Sequence, residues 1–191
     1  FTVMVSNGFV NRDPLNEIMG FIDAFNIDLK AFSESFYNGL TGAELEPVKK
    51  SLKQIAKAGK HLEITTLIIP GKNDSAKEME AESKWISEEL GEEIPLHLSR
   101  YFPMYKRNEP ATPGETMTNL FGTARRYLKY VYLGNTAGDA GQDTLCSKCG
   151  TVVTKRSGYN TRLMNLDGHG TCEACGNQVY RFFTLPSRAG R

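Results

Sequence analysis

Cysteine is the residue type whose placement in this sequence most plainly fits chemistry. None occurs before residue 146; then Cys146, Cys149, Cys172 and Cys175 form two C-x2-C pairs, CSKCG and CEACG, with 22 residues between them. Two thiolates three positions apart can bind one ion from a single turn. The glycine after each pair, Gly150 and Gly176, permits positive φ and close approach of backbone N–H groups to sulfur. Two such knuckles complete a tetrahedral four-thiolate site, suited to zinc and, less often, to a single iron. A closed set leaves no open coordination position, so a structural role is expected. A segment of about 40 residues buries too little surface to fold on packing alone, so the metal should supply much of its folding free energy. Two disulfides or unconnected thiols are the competing reading, disfavoured by the absence of an export signal in the sequence. His169 is either a spare ligand or a surface residue. Lys148, Lys155, Arg156 and Arg162 lie close by, as do Asp167 and Glu173, a mixture that fits a solvated face as well as a binding one.

A second group of polar residues stands at or directly after the ends of strand-like runs: Ser6-Asn7-Gly8, Asp28-Leu29-Lys30, Pro70-Gly71-Lys72-Asn73-Asp74 and Ser99-Arg100-Tyr101. In parallel α/β sheets ligands bind where the carboxyl ends of the strands converge. Asp28, an acid inside a short strand, must be paired, hydrogen-bonded or bound to a cation. Lys30 is one strand repeat away on the same face, so a plain ion pair and a functional pair both fit. PGKND reads as a turn followed by Asp74 as a helix N-cap, and Asn7-Gly8 as a turn. Lys49, Lys50, Lys53, Lys57 and Lys60 read as the solvated side of an amphipathic helix.

The elements that would position these residues alternate. Strand-like runs fall at Thr2–Ser6, Asn26–Leu29, Leu62–Ile69, Ile94–Tyr101 and Tyr130–Leu133. A first helix is expected from Asp13 as N-cap and Pro14 as first helical residue, with Leu15, Ile18, Met19, Ile22 and Phe25 on one face. A second runs from Pro47 to Gly59 with Val48, Leu52, Ile55 and Ala56 inward. A third follows Asp74 and carries Met79, Ile86 and Leu90 before Gly91, and a weaker fourth spans Met117 to Tyr127. Strands with little polar alternation, such as ITTLII, suit a parallel sheet covered by helices. The expected organisation is an α/β part over 1–134, a small polar linker over 135–144 (NTAGDAGQDT), a four-cysteine ribbon over 145–183 and a disordered tail over 184–191.

The 191 residues are 40% hydrophobic and 24% charged, as in a folded soluble protein. Lys plus Arg is 23 against 22 for Asp plus Glu, a net charge of +1, which gives no general attraction to nucleic acid or anionic lipid. No apolar run approaches a membrane span and nothing directs secretion, so a cytoplasmic location is expected. The chain opens on Phe1 and enters a strand-like run at once, as a piece of a longer protein would.

The order SNGFV, NIDLKAF, LIIPGKND, LHLSRYFPMYK and then a four-cysteine ribbon resembles the radical SAM enzymes related to pyruvate formate-lyase activating enzymes, from Phe1 to about Phe183. SRYFPMYK and the ribbon opening CSKCG-x5-R-x-GY favour the subgroup of the AmmeMemoRadiSam system. The resemblance implies a partial (β/α)6 barrel, here its strands three to six with an extension, ahead of the ribbon. It implies a [4Fe–4S] cluster and S-adenosylmethionine, whose reductive cleavage gives a 5′-deoxyadenosyl radical for hydrogen abstraction. It implies an electron donor such as a flavodoxin or ferredoxin, and a substrate that is either a protein or a small molecule. Carried across by position, Ser6 and Asn7 match a Thr-Asn at the first strand end, with Val5 where relatives can have Asp. Asp28 and Lys30 match an Asp-Leu-Lys strand, with Lys30 meeting the amino-acid end of the cofactor, and Arg100 is a further pocket residue. The family's C-x3-C-x2-C loop and Gly-Gly-Glu motif do not occur in these 191 residues, so the chain is expected to be inactive alone. Two other readings stay open: a zinc-ribbon binding or scaffold protein, and a rubredoxin-like electron carrier.

Overall fold

The computed structural model describes residues 1–136, 138, 140–158 and 160–183. The expected tail over 184–191, and Tyr159 of the ribbon opening, lie outside the described residues. The chain divides into two compact units, 1–137 and 138–191.

In the first unit, strands β1 (Val3–Ser6), β2 (Ala24–Asp28), β3 (His61–Ile68), β4 (Leu96–Arg100) and β5 (Val131–Gly134) form one sheet in sequential order, with every pair parallel. Helices α1 (Arg12–Met19), α2 (Glu34–Phe36), α3 (Leu45–Lys57), α4 (Ala76–Glu89) and α5 (Gly114–Ala124) lie between the strands. Because crossovers share one hand and the order never reverses, the connections stack on a single face of the sheet, as in a barrel wall. The core shows this face. Phe25, Ile27, Leu62, Ile64, Ile68, Leu96, Leu98, Val131 and Leu133 pack with Leu15, Leu52, Ile55, Met79, Ile86, Met117 and Leu120 in one buried cluster. The alternate strand residues point the other way, and Asn26, Asp28, Glu63, Thr65, His97, Ser99 and Tyr132 are only half-buried.

Several boundaries differ from the sequence reading. The first helix begins at Arg12 with Asn11 at the cap, two residues ahead of Pro14, and ends at Met19. Phe25, expected on that helix, is a strand residue at the bottom of the core. Helix α3 begins at Leu45, which puts Pro47 third in the first turn, where its missing N–H is one of the unpaired donors in any case. Ser75, not Asp74, caps α4 by accepting from the Glu78 N–H at 3.2 Å; Asp74 instead accepts from the Gly71 N–H at 3.0 Å. Helix α5 begins at Gly114, three residues before Met117. The short α2 and the π-helical turn Tyr37–Thr41 behind it have no counterpart in the periodicity.

The second unit is an antiparallel three-stranded sheet, β6 (Thr144–Leu145), β7 (Val152–Ser157) and β8 (Asn160–Leu163), in that order. Its small core joins Cys146, Val153 and Cys172 with Leu166, Val179 and Tyr180 at the edge.

Candidate metal centre and the polar face of the sheet

The two C-x2-C segments fold alike. In each, the carbonyl of the first cysteine accepts from the glycine four residues on (Gly150 to Cys146, Gly176 to Cys172, both 2.8 Å). Each first cysteine also donates its N–H to the residue five on, Thr151 or Asn177, at 2.8 Å. The glycines take φ of 75° and 70°, the left-handed region that closes such a turn without a Cβ penalty. The result brings Cys146, Cys149, Cys172 and Cys175 together, with their sulfurs all within 4.8 Å of one another. Sγ–Sγ distances of 3.6 Å (Cys146–Cys175) and 3.7 Å (Cys149–Cys172) run between the knuckles. A tetrahedral ion with metal–sulfur bonds of about 2.3 Å separates its ligand sulfurs by about 3.8 Å. The four sulfurs therefore fit one ion and are too close together for a cubane cluster, which spreads them over four irons. Burial raises the Cys146 thiol, but backbone N–H groups of Cys149 and Lys148 outweigh it and favour the thiolate. His169 is exposed, bonded through its N–H to Asp167, and outside the set.

In the first unit the predicted residues do not converge. Asp28 and Lys30 form an ion pair at 2.6 Å at the end of β2, each about one third exposed. Ser6 follows the parity of the core-facing Met4 and its hydroxyl oxygen accepts from the Gly8 N–H at 3.1 Å; Asn7 Oδ1 accepts from the Phe9 N–H at 3.1 Å. This turn requires glycine: Gly8 has φ of 68°, and a Cβ there would come within 2.8 Å of Ile27 and 3.2 Å of Val48. Arg100 has the parity of Leu96 and Leu98, on the helix side. Its Nε donates to the Thr112 carbonyl at 2.7 Å and its guanidinium lies over Phe102 at 4.8 Å. Strand alternation thus sends Ser6 and Arg100 to one face and Asp28 to the other.

Two further features sit among the strand ends. Asn73, 3% exposed, accepts from the Ile69 N–H at 2.7 Å and donates to the carbonyls of Lys30 (2.8 Å) and Leu67 (2.9 Å). Thr112 donates to the Ile68 carbonyl at 2.6 Å and accepts from the Tyr101 N–H at 3.1 Å. These two side chains pin the ends of β2, β3 and β4 where the loops diverge.

The residues missed from sequence lie on the open face. Glu63 accepts from His61 Nε2 at 3.0 Å on one oxygen and from His97 Nε2 at 2.8 Å on the other. Burial opposes its ionisation, but hydrogen bonds from the two imidazoles overcome this and hold its carboxyl well below the usual range. Thr65 donates to Asn26 at 2.8 Å, and the His97 ring stacks on Tyr132 at 5.2 Å. The signal was the period of two: Glu63 and Thr65 alternate with the apolar Leu62 and Ile64 in the run His61–Ile68. On the opposite face, burial pushes the Glu82 carboxyl up to about 8 beside the hydroxyl of Thr66, which donates to it at 2.6 Å.

No protein-family model matches the chain. It is 38% identical over 182 residues to the uncharacterized protein MJ0808 of Methanocaldococcus jannaschii, matching 94% of this chain and 54% of that protein. The chain thus spans about half the length of this curated relative. Among solved structures it is similar to a domain of pyruvate-formate lyase-activating enzyme from Bacteroides vulgatus, with a TM-score of 0.60 and 18% identity. That likeness covers 68% of this chain and 79% of the other. A radical SAM methyltransferase from Sphaerobacter thermophilus gives a TM-score of 0.56 at 13% identity, covering 78% of this chain and 43% of that one. TYW1 with a lysine-pyruvate adduct bound gives 0.51 at 21% identity, covering 71% and 44%. The five-stranded sheet is like part of a radical SAM barrel. At these identities the likeness is one of fold.

Proposed function

We propose that these residues are the later strands and metal ribbon of a radical SAM enzyme of the pyruvate formate-lyase activating type, akin to that of the AmmeMemoRadiSam system. The observation that carries the reading is the sequential all-parallel sheet, similar in fold to the solved radical SAM structures, with polar residues at its own strand ends. In such enzymes a [4Fe–4S] cluster with S-adenosylmethionine supplies a 5′-deoxyadenosyl radical for hydrogen abstraction. Nothing among the described residues fits that cluster: the four cysteines are packed around the volume of one ion. Cluster ligands would have to come from outside these 191 residues.

What the chain itself would offer is a cofactor surface. Lys30, beside Asp28 on the open side of the β2 end, is a suitable cation for the carboxylate of S-adenosylmethionine. Arg100 is a weaker candidate, since its guanidinium already serves Thr112 and Phe102. The four-cysteine site is read as structural zinc, with a single iron as the alternative. An electron donor such as a flavodoxin or ferredoxin, and a substrate of either protein or small-molecule kind, belong to the same proposal.

The test is anaerobic purification of the complete protein, reduction, and assay for 5′-deoxyadenosine from S-adenosylmethionine. The complete protein should form it and the 191 residues alone should not. Formation by the isolated chain, or none by the complete and reduced protein, would sink the reading. A colourless ribbon carrying one zinc would also remove the electron-carrier alternative, since a ferric four-thiolate site is red.

A further inference from the structure

We propose that Glu63 and His97 form an acid–base dyad on the open polar face of the sheet, with His97 Nδ1 accepting a proton from a hydroxyl of a small polar ligand held there. The two residues come from adjacent strands and share that face by alternation, Glu63 third in β3 and His97 second in β4. The Nε2–Glu63 Oε2 hydrogen bond of 2.8 Å makes Nε2 the protonated nitrogen of the neutral ring, leaving the lone pair on Nδ1. No hydrogen bond occupies Nδ1 among the described residues. The ring is held on a second side by Tyr132, stacked at 27° and 5.2 Å, and its side chain is 30% exposed.

A carboxylate that fixes one nitrogen of a partly exposed imidazole and leaves the lone pair on the other is an arrangement for moving protons. The hydroxyl O–H bond breaks with its electron pair left on oxygen, the N–H bond forms at Nδ1, and Glu63 balances the imidazolium charge. His61 holds the other oxygen of Glu63 at 3.0 Å and keeps the carboxylate in place. The titratable groups along this face are His61 and Glu63 of β3, Asp28 of β2, paired with Lys30, and Tyr132 of β5. Register sets Asp28, Thr65, His97 and Tyr132 side by side across four strands, and Ser99 follows His97 on the same face. Hydroxyl and amide groups flank the dyad, which favours an uncharged polar ligand over an anion facing Glu63. The inference stands without the radical chemistry.

The experiment uses the 191-residue chain. Imidazole nitrogen shifts at pH 8 should show His97 protonated at Nε2 alone. Treatment with diethyl pyrocarbonate, read by peptide mass, should modify His97 at a rate within about tenfold of the exposed His169. In Glu63→Gln that rate should fall several-fold at His97 while His169 is unchanged. A ring protonated at Nδ1, a His97 inert to the reagent, or equal rates in both proteins would overturn the proposal. The tautomer and reactivity are read in the unmodified chain, so they decide the matter even if Glu63→Gln fails to fold.

Discussion

At the scale of single residues, the four cysteines and one buried acid make separable predictions. Replacing any one cysteine with serine should reduce zinc from one equivalent per chain to well below half, measured by elemental analysis after dialysis. A thiolate set loses much of its affinity when a hard, poorly ionised hydroxyl enters it. Glu82 predicts a pH effect. Its folded-state value of about 8 stands above the ordinary 4.5, so the unfolded chain releases this proton first. Stability is fully present below about pH 4.5, falls as pH rises, and levels off above about 8. Glu82→Gln should abolish that slope, and over this window the native carboxyl should cost on the order of a few kcal/mol relative to the variant. Urea titrations of both proteins at pH 5 and pH 8.5 read it; parallel shifts would show that Glu82 is not the cause. The cysteines were legible in the sequence because their spacing alone encodes the ligand set. Glu63, His61 and His97 were not, because two of them lie on different strands 34 positions apart and only the register joins them.

At the scale of elements, Asn73 is the residue on which the strand ends depend. Asn73→Ala would leave the Ile69 N–H and the carbonyls of Lys30 and Leu67 short of a partner. A loss of about 2–3 kcal/mol is expected from chemical denaturation, at roughly 1 kcal/mol per bond. A loss below half of that would mean that water replaces the side chain. The sequence shows PGKND as a turn but not that its fourth residue is a staple, since the three partners are distant backbone groups. Helix starts were displaced for a related reason. Asn11, Glu44 and Pro113 stand at the caps of α1, α3 and α5 without a side-chain capping bond, so packing sets the boundaries. The strand–helix alternation itself was legible, because burial of Leu62, Ile64, Thr66 and Ile68 on one side leaves a period of two.

At the scale of the whole molecule, the two units should respond differently to chelation. Strong zinc chelators should erase the amide signals of β7 and β8 while the five-stranded unit keeps its far-ultraviolet spectrum. Simultaneous loss of both would show that the first unit does not hold its own core. The outer strand β1 also matters: Val3 is 60% and Val5 72% exposed, on a strand paired on one side only. Val3→Lys with Val5→Lys should lower self-association in analytical ultracentrifugation without unfolding the sheet.

The unbroken order of the five strands has a consequence for biosynthesis. Every strand pairs with the one made just before it, so each can dock as it leaves the ribosome, without waiting for a distant segment to emerge. Growth from one side only lets the sheet assemble as a queue, and a nascent chain halted after any helix already carries a complete set of the pairings available to it.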